Sequence, residues 1–286
     1  MPDKASGNAE SGNAAPDGAA PLEVGGRLDA ELVRRGLARS RALAVIAIDE
    51  GRVAIDGRTA LKASLRVTPD AVLTVDGDDR WVSRSAGKLA VALDVFPIAV
   101  GGRLALDVGA STGGFTQVLL ERGVREVIAL DVGHGQLVPA IRSDERVRVV
   151  EGVNARSLTA AELAESSGTA DKPELVVADL SFIGLPLVLP ALVETVGGDA
   201  DYVLLVKPQF EVGRGGIREG VVRDRAARHD AVSGVLWAAW DLGLPTAGVI
   251  SSPIVGTNGN QEYLVWLSAG VGGNPTEWGG AITALA

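Results

Sequence analysis

The sequence contains no cysteine. Disulfides, iron–sulfur clusters, thiolate zinc sites and cysteine nucleophiles are therefore excluded. Histidine is nearly absent as well, with only His134 and His229. Two imidazoles are too few for a histidine-rich metal centre, and no metal is expected. No apolar run approaches the ~18 residues that a membrane-spanning helix needs. The longest, Phe182 to Val193, is shorter and interrupted by Pro186 and Pro190. The opening residues, MPDKASGNAESGNAAPDGAAP, lack the apolar stretch of a secretion signal. These absences point to a soluble, cytoplasmic protein with no membrane partner.

The chain has 286 residues, 47% of them apolar. That is enough for one large or two modest domains with a real core. The formal net charge of −9 argues against nucleic acid as a partner, but the charge is uneven. Arg27 to Arg66 holds nine bases against five acids. Arg214, Arg218, Arg223, Arg225 and Arg228 face only Glu219 and Asp224. Local patches of this kind bind phosphates, and they also occur as ordinary solvated faces.

Residues 1–25 read as a disordered tail, rich in Gly, Ala, Asn, Asp and Pro. RLDAELVRRGLA sets Leu28, Leu32 and Val33 on one helical face, with Gly36 as the C-terminal stop. Ser40 caps a second helix that ends at Gly51. Alternating Val53 and Ile55, followed by Asp56-Gly57, predicts a tight hairpin turn. Residues 26–79 thus form a small α+β unit. Residues 80–84 form a joint, in which Trp81 is either a packed anchor or a base-stacking residue. Residues 85–270 alternate helices with continuous apolar strands at 104–108, 127–132, 147–152, 175–180, 202–208, 245–252 and 262–268. This pattern predicts a mostly parallel, doubly wound, Rossmann-like α/β sheet. Residues 271–286 are Gly-rich and expected to form a flexible tail.

LALDVGASTGGFT reads strand, glycine loop, helix. Gly109, Gly113 and Gly114 permit a sharp turn and close approach to a ligand. A dinucleotide fingerprint would have glycine where Ser111 stands, which disfavours a nicotinamide cofactor. An acid at the strand end, Asp107, suits a cationic group such as the amino end of a methionine. Asp131, 22 residues beyond Gly109, suits ribose hydroxyls. The expected cofactor is S-adenosylmethionine, held by Asp107, Gly109, Ser111, Thr112, Gly113, Gly114, Phe115, Asp131 and Asn154. Asn154 either reads the adenine or caps a helix. Asp107, Asp131, Asp179 and Lys207 are expected to face one crevice at the carboxyl ends of the strands.

The chain uses five lysines against twenty-two arginines. It nevertheless keeps Lys207 directly after the strand YVLLV. A desolvated lysine can lose its proton where arginine cannot, so a lysine here points to proton chemistry. From the residues alone, Lys88 and Glu262 are as easily structural as functional. Amino-group methylation of bases commonly uses an Asn/Asp-Pro-Pro-aromatic tetrapeptide, and the matching strand end reads ADLSF. Carbon-5 methylation of pyrimidines needs a cysteine. A weakly acidic hydroxyl such as a ribose 2′-hydroxyl remains.

RLDAELVRRGLARSRALAVIAIDEGRVAIDGR resembles the small S4 RNA-binding domain. SRSAGKL, LDVGASTGGFT, ALDVG, VVADLSFI, LLVKPQFE and NQEYLVWL resemble, in that order, the TlyA (hemolysin A) family of ribosomal RNA 2′-O-methyltransferases. The resemblance spans residues 26–269 and implies a Lys-Asp-Lys-Glu catalytic tetrad shared with FtsJ-type enzymes: Lys88, Asp179, Lys207 and Glu262. It implies a cytidine in ribosomal RNA or ribosomal subunits as substrate, in the large subunit and in some members the small one. The RNA-binding residues expected are Arg27, Arg34, Arg35, Arg39, Arg41, Arg58, Lys62 and Arg84, with Arg214, Arg218, Arg223 and Arg225. A monomer is expected. Two other readings stay open, a non-catalytic ribosome-assembly factor and a membrane-lytic protein.

Overall fold

The computed structural model describes residues 25–38, 40–76, 81–213 and 219–286. Arg39, Arg214, Arg218, nearly all of the expected N-terminal tail and the first joint residue, Arg80, lie outside the described residues.

The first unit runs β1 (Gly26–Arg27), α1 (Leu28–Arg34), α2 (Arg41–Asp49), β2 (Val53–Ile55), β3 (Arg58–Thr59), β4 (Arg66–Val67) and β5 (Leu73–Val75). β1 pairs with β4, and β2 pairs with both β3 and β5, all antiparallel. Leu28, Leu32, Ala44, Ile48 and Val53 form its core. Ser40 caps α2 by accepting the Leu43 N–H. Asp56 and Gly57 take φ of +49° and +77°, as a two-residue hairpin turn between right-twisted strands requires.

The joint is packed rather than loose. Trp81 lies against the core of the second unit, so it acts as an anchor. The Val82 N–H donates to Gln117, and the Arg84 N–H to Glu50 of the first unit. Arg84 already opens a helix, so the joint is shorter than the sequence suggests.

The second unit runs α3 (Arg84–Val95), β6 (Leu104–Val108), α4 (Gly114–Glu121), β7 (Glu126–Asp131), α5 (Pro139–Arg142), β8 (Val147–Glu151), α6 (Ala160–Ser167), β9 (Leu175–Ala178), α7 (Leu189–Val196), β10 (Asp201–Val206), α8 (Pro208–Glu211), α9 (Arg225–Asp241), β11 (Thr246–Ser251), β12 (Tyr263–Leu267) and α10 (Gly279–Leu285). Its seven strands lie in the order β11-β12-β10-β9-β6-β7-β8. All run parallel except β12, which is antiparallel to both neighbours. Both sheet faces are covered. Leu104, Leu106 and Val108 meet the α6, α7 and α9 side, while Ala105 meets α3 and α4. From β6 the chain moves outward to β7 and β8, then returns to β9 on the other flank. That reversal opens a crevice at the strand carboxyl ends.

The C-terminal segment corrects the expectation of a flexible tail. Asn274 and Glu277 form a capping box, with Pro275 at the first helical position, that starts a short helical turn running into α10. Ile282 of α10 is 1% exposed in the core beside α9. The glycines suggest fraying, but the capping box and one apolar anchor override them. Among the described residues, no helix is long and apolar enough to cross a membrane.

Candidate active site

Three cavities meet at the carboxyl edge of the sheet. The first, of about 520 Å³, lies at the β6–β9 switch point. Gly109 begins the loop after β6 at φ +82°, and a Cβ there would come 2.9 Å from the Asp179 carbonyl. Only glycine lets the loop pass this close to the end of β9. Ser111 follows at φ +47° and donates its N–H to Asp131 Oδ2 (2.8 Å). The Gly133 N–H takes Oδ1 (2.7 Å). Asp131 is thereby fixed at the mouth, and each oxygen keeps a further acceptor position. Asn154 lines the same cavity while its Oδ1 caps a short helical turn through the Arg156 N–H. The capping role is thus present, and the side chain also borders the cavity.

The residues expected to hold a cofactor divide. Gly109, Ser111, Asp131 and Asn154 line the first cavity. Thr112 and Phe115 instead line a second one, of about 330 Å³, between the loop and Ile46 and Asp49 of α2 with Glu50 at its C-terminal end. Gly113 and Gly114 line neither. Gly113 starts α4 at φ +97°. A Cβ on Gly114 would clash with the hydroxyls of Ser83 and Ser85, so this glycine serves the packing of α3 against α4.

Asp107 does not face the crevice, contrary to expectation. The strand pleat turns it, like Ala105, toward α4. There it is fully buried and accepts the Thr116 hydroxyl (2.6 Å) on Oδ2, while Oδ1 has no hydrogen-bond partner among the described residues. Burial pushes its carboxyl up to about 7, and the nearby Asp179 and Asp131 charges add to this.

Strand register assembles the remaining groups. Asp179 follows β9 and Lys207 follows the adjacent β10, and Val206 pairs with Tyr263 across β10 and β12. One step further, Lys207 stands opposite Glu262. Lys207 Nζ lies 2.6 Å from Asp179 Oδ1, an ion pair whose angle is not that of a hydrogen bond, and donates to Ser181 Oγ at 3.0 Å. Lys88, on α3, pairs with Glu262 at 2.5 Å in the interior. Thus Lys88, Asp179, Lys207 and Glu262 are drawn to one edge as two ion pairs. Lys207 lines the second cavity and also a third, of about 310 Å³, which Glu262 lines too.

Besides Lys207 and Glu262, the third cavity is walled by Phe182, Gln209 and Phe210, which residue spacing does not single out. Phe182 is 92% exposed at φ +66°, and its ring centroid is 5.5 Å from that of Phe210. Lys207 Nζ lies 6.0 Å from the Phe210 ring, within cation–π range. Glu211 ties the Phe182 loop to α8 by accepting the Leu185 N–H (3.0 Å), and burial pushes its carboxyl up to about 7. Ser181 and Phe182 sit in ADLSF, so a polar–aromatic pair just past a strand end was the available signal.

The basic cluster of the first unit is a paired network. Asp29 and Glu31 are buried on α1. Arg27 and Arg41 pair with Asp29 and hold its carboxyl well below the usual range, opposed by its burial. Arg34 and Arg35 pair with Glu31 and lower its carboxyl to about 2. The side chains of Arg34 and Arg41 remain 62% and 60% exposed, whereas that of Arg35 is 19% exposed and binds the carbonyls of Thr68, Pro69 and Ala71. Arg58 and Lys62 are exposed, Arg223 pairs with Glu219, and Arg225 reaches the Thr283 carbonyl.

A parallel sheet with one inserted antiparallel strand, a glycine loop at its switch point and an acid closing the second strand defines a nucleoside-binding α/β enzyme class. Residues 81–269 match the FtsJ-like methyltransferase family, and residues 26–73 match the S4 domain. A Mycobacterium tuberculosis protein named 16S/23S rRNA (cytidine-2′-O)-methyltransferase TlyA is 53% identical over 84% of this chain and 89% of its own length. A Campylobacter jejuni protein named 23S rRNA (cytidine-2′-O)-methyltransferase TlyA is 32% identical over 82% of this chain and 95% of its own. A solved Streptococcus thermophilus structure named as a hemolysin is 35% identical and superposes with a TM-score of 0.70, covering 92% of this chain and 96% of that one. The chain belongs to the FtsJ-like methyltransferase family, in its TlyA branch, with an S4 domain preceding the catalytic unit.

Proposed function

We propose that this protein transfers a methyl group from S-adenosylmethionine to the 2′-hydroxyl of a cytidine in ribosomal RNA. The observation that carries this is the position of Lys207, paired with Asp179 and Ser181 between the switch-point crevice and an aromatic-walled cavity.

The crevice fits a nucleoside cofactor. Leu130, Val132 and Val153 offer apolar walls for a base, and Asp131 keeps acceptor positions for ribose hydroxyls. When bound, S-adenosylmethionine supplies a methyl carbon activated by its sulfonium. Lys207 takes the 2′-hydroxyl proton. To accept that proton the amine must be in its free form, and the Asp179 carboxylate 2.6 Å away lies where it can take up the lysine's own proton. Ser181 holds the amine in direction. Lys88 and Glu262 set the charge behind it. The exposed Phe182 ring offers a stacking face for an unstacked base.

The small unit, residues 26–79, and Arg84, Arg223 and Arg225 supply phosphate contacts through charge. The relatives' names support ribosomal RNA as substrate, in one case of both subunits. This substrate makes the reaction cytoplasmic.

The test incubates purified protein with labelled S-adenosylmethionine and ribosomal subunits from a strain lacking the enzyme, beside the Lys207→Ala variant. Digestion and mass spectrometry should show a ribose-methylated cytidine with wild type alone, while both proteins bind the cofactor. No label in either subunit or in free RNA, with cofactor bound, would establish an RNA-binding assembly factor instead.

A further inference from the structure

Gln209 lies two residues past Lys207, on the wall of the third cavity. Its Oε1 is buried with no hydrogen-bond partner among the described residues. A buried amide oxygen left unpaired is costly, and such groups in native proteins commonly await a ligand or water. The nearby amide Asn260 is not in this position. Its Oδ1 accepts the Val222 N–H and its Nδ2 donates to the Gly220 carbonyl, so it is committed to the wall. The cavity is also lined by Phe182 and Phe210, whose rings are tilted 51° to each other with centroids 5.5 Å apart, and by Lys207 and Glu262. Its volume of about 310 Å³ is at the small end of ligand pockets and excludes a second cofactor-sized molecule.

Aromatic faces with one free amide make a pocket for a flat, hydrogen-bonding ring. We infer that this cavity receives the target nucleobase and that Gln209, swinging its amide out of the wall, reads its edge, accepting the exocyclic amine of cytosine on Oε1. The inference rests on the ribose-methylation reading and names what selects the base. Cytosine offers an amino donor at this edge, where uracil offers a carbonyl acceptor. With uracil, two oxygens would face each other unless the amide turned over. Gln209 is thus a specificity residue. It lies beside the reacting atoms, and Lys207 performs the proton transfer.

The experiment measures kcat/KM for wild type, Gln209→Met and Gln209→Ala on RNA carrying cytidine, uridine or 4-deaminocytidine at the methylated position. Methionine keeps the side-chain volume and removes the amide. Cofactor titration reports whether each variant is folded. Wild type should prefer cytidine over 4-deaminocytidine by about tenfold or more, the usual scale for a good base-edge contact. Gln209→Met should lose that preference and accept uridine nearly as well. Equal losses on all three RNAs would overturn the proposal and make Gln209 a packing residue. Wild type that does not distinguish cytidine from 4-deaminocytidine would overturn it without any variant. Absence of methylation of every RNA by wild type would instead refute the methylation reading on which the inference stands.

Discussion

Lys88 Nζ sits 2.5 Å from Glu262 Oε2, although 174 residues of chain separate them. Their side chains are only 8% and 2% exposed. Gly256 presses on the same carboxylate, since a Cβ there would clash with Glu262 Oε1. The pair therefore fastens α3 to the start of β12, directly behind Lys207.

Breaking this pair on one side leaves a buried charge without a partner. Lys88→Met should cost about 3–5 kcal/mol of unfolding free energy. The double variant Lys88→Met/Glu262→Leu should recover most of that stability and still fail to transfer methyl. Urea unfolding of both singles and the double, with the methylation assay in parallel, measures this. Additive losses would mean that the two residues do not act as a pair.

Asp107 predicts a pH effect of defined sign. Burial, aided by the Asp179 and Asp131 charges, raises its carboxyl to about 7, whereas an unfolded aspartate titrates near 4. Between these values the folded protein holds a proton that the unfolded chain has released. Its contribution to stability is present at low pH and is lost as pH rises from about 4 to about 7. Asp107→Asn should therefore gain on wild type with rising pH, by a few kcal/mol at most. Calorimetry near pH 5 and near pH 8 reads the difference, and parallel Tm curves for the two proteins would count against it.

The arginines of the first unit should separate into two groups. Replacing Arg34 and Arg41, whose side chains are mostly exposed, with alanine should weaken RNA binding. It should also flatten the salt dependence by about 0.7–0.9 in slope for each phosphate that is no longer neutralised. Arg35→Ala should chiefly lower stability, because its guanidinium holds three backbone carbonyls. Filter binding across a salt series, paired with thermal melts, distinguishes the groups. Identical behaviour of Arg34 and Arg35 variants would refute the division.

The C-terminal helix should be an integral part of the catalytic unit. Ile282→Ala empties a core position and should cost about 2–5 kcal/mol. Deletion of residues 275–286 should cost at least as much, since it uncovers the α9 core. A truncated protein that melts like the full chain would show that the segment is dispensable.

Local pattern alone determined the element order. Ser40, Gly36 and Asp56-Gly57 act within a few residues of themselves, so their capping and turn roles are legible in the sequence. Largely apolar runs marked the inner strands such as β9, β10 and β12, because strands covered on both faces need no polar alternation, whereas the edge strand β8 carries Arg148 and Glu151. For the same reason the sequence was silent on where Asp107 points. Both faces of β6 are buried, and only packing against α4 shows which one the side chain occupies. The C-terminal capping box was readable as Asn-Pro-Thr-Glu, but glycine content masked it. The encounter of Lys88 with Glu262, the opposition of Lys207 to Glu262 and the aromatic cavity beside Gln209 depend on β12 inserting antiparallel next to β10. That pairing joins segments far apart in the chain. Residue spacing carries information about neighbours in sequence, and only the folded sheet brings these side chains within reach of one another.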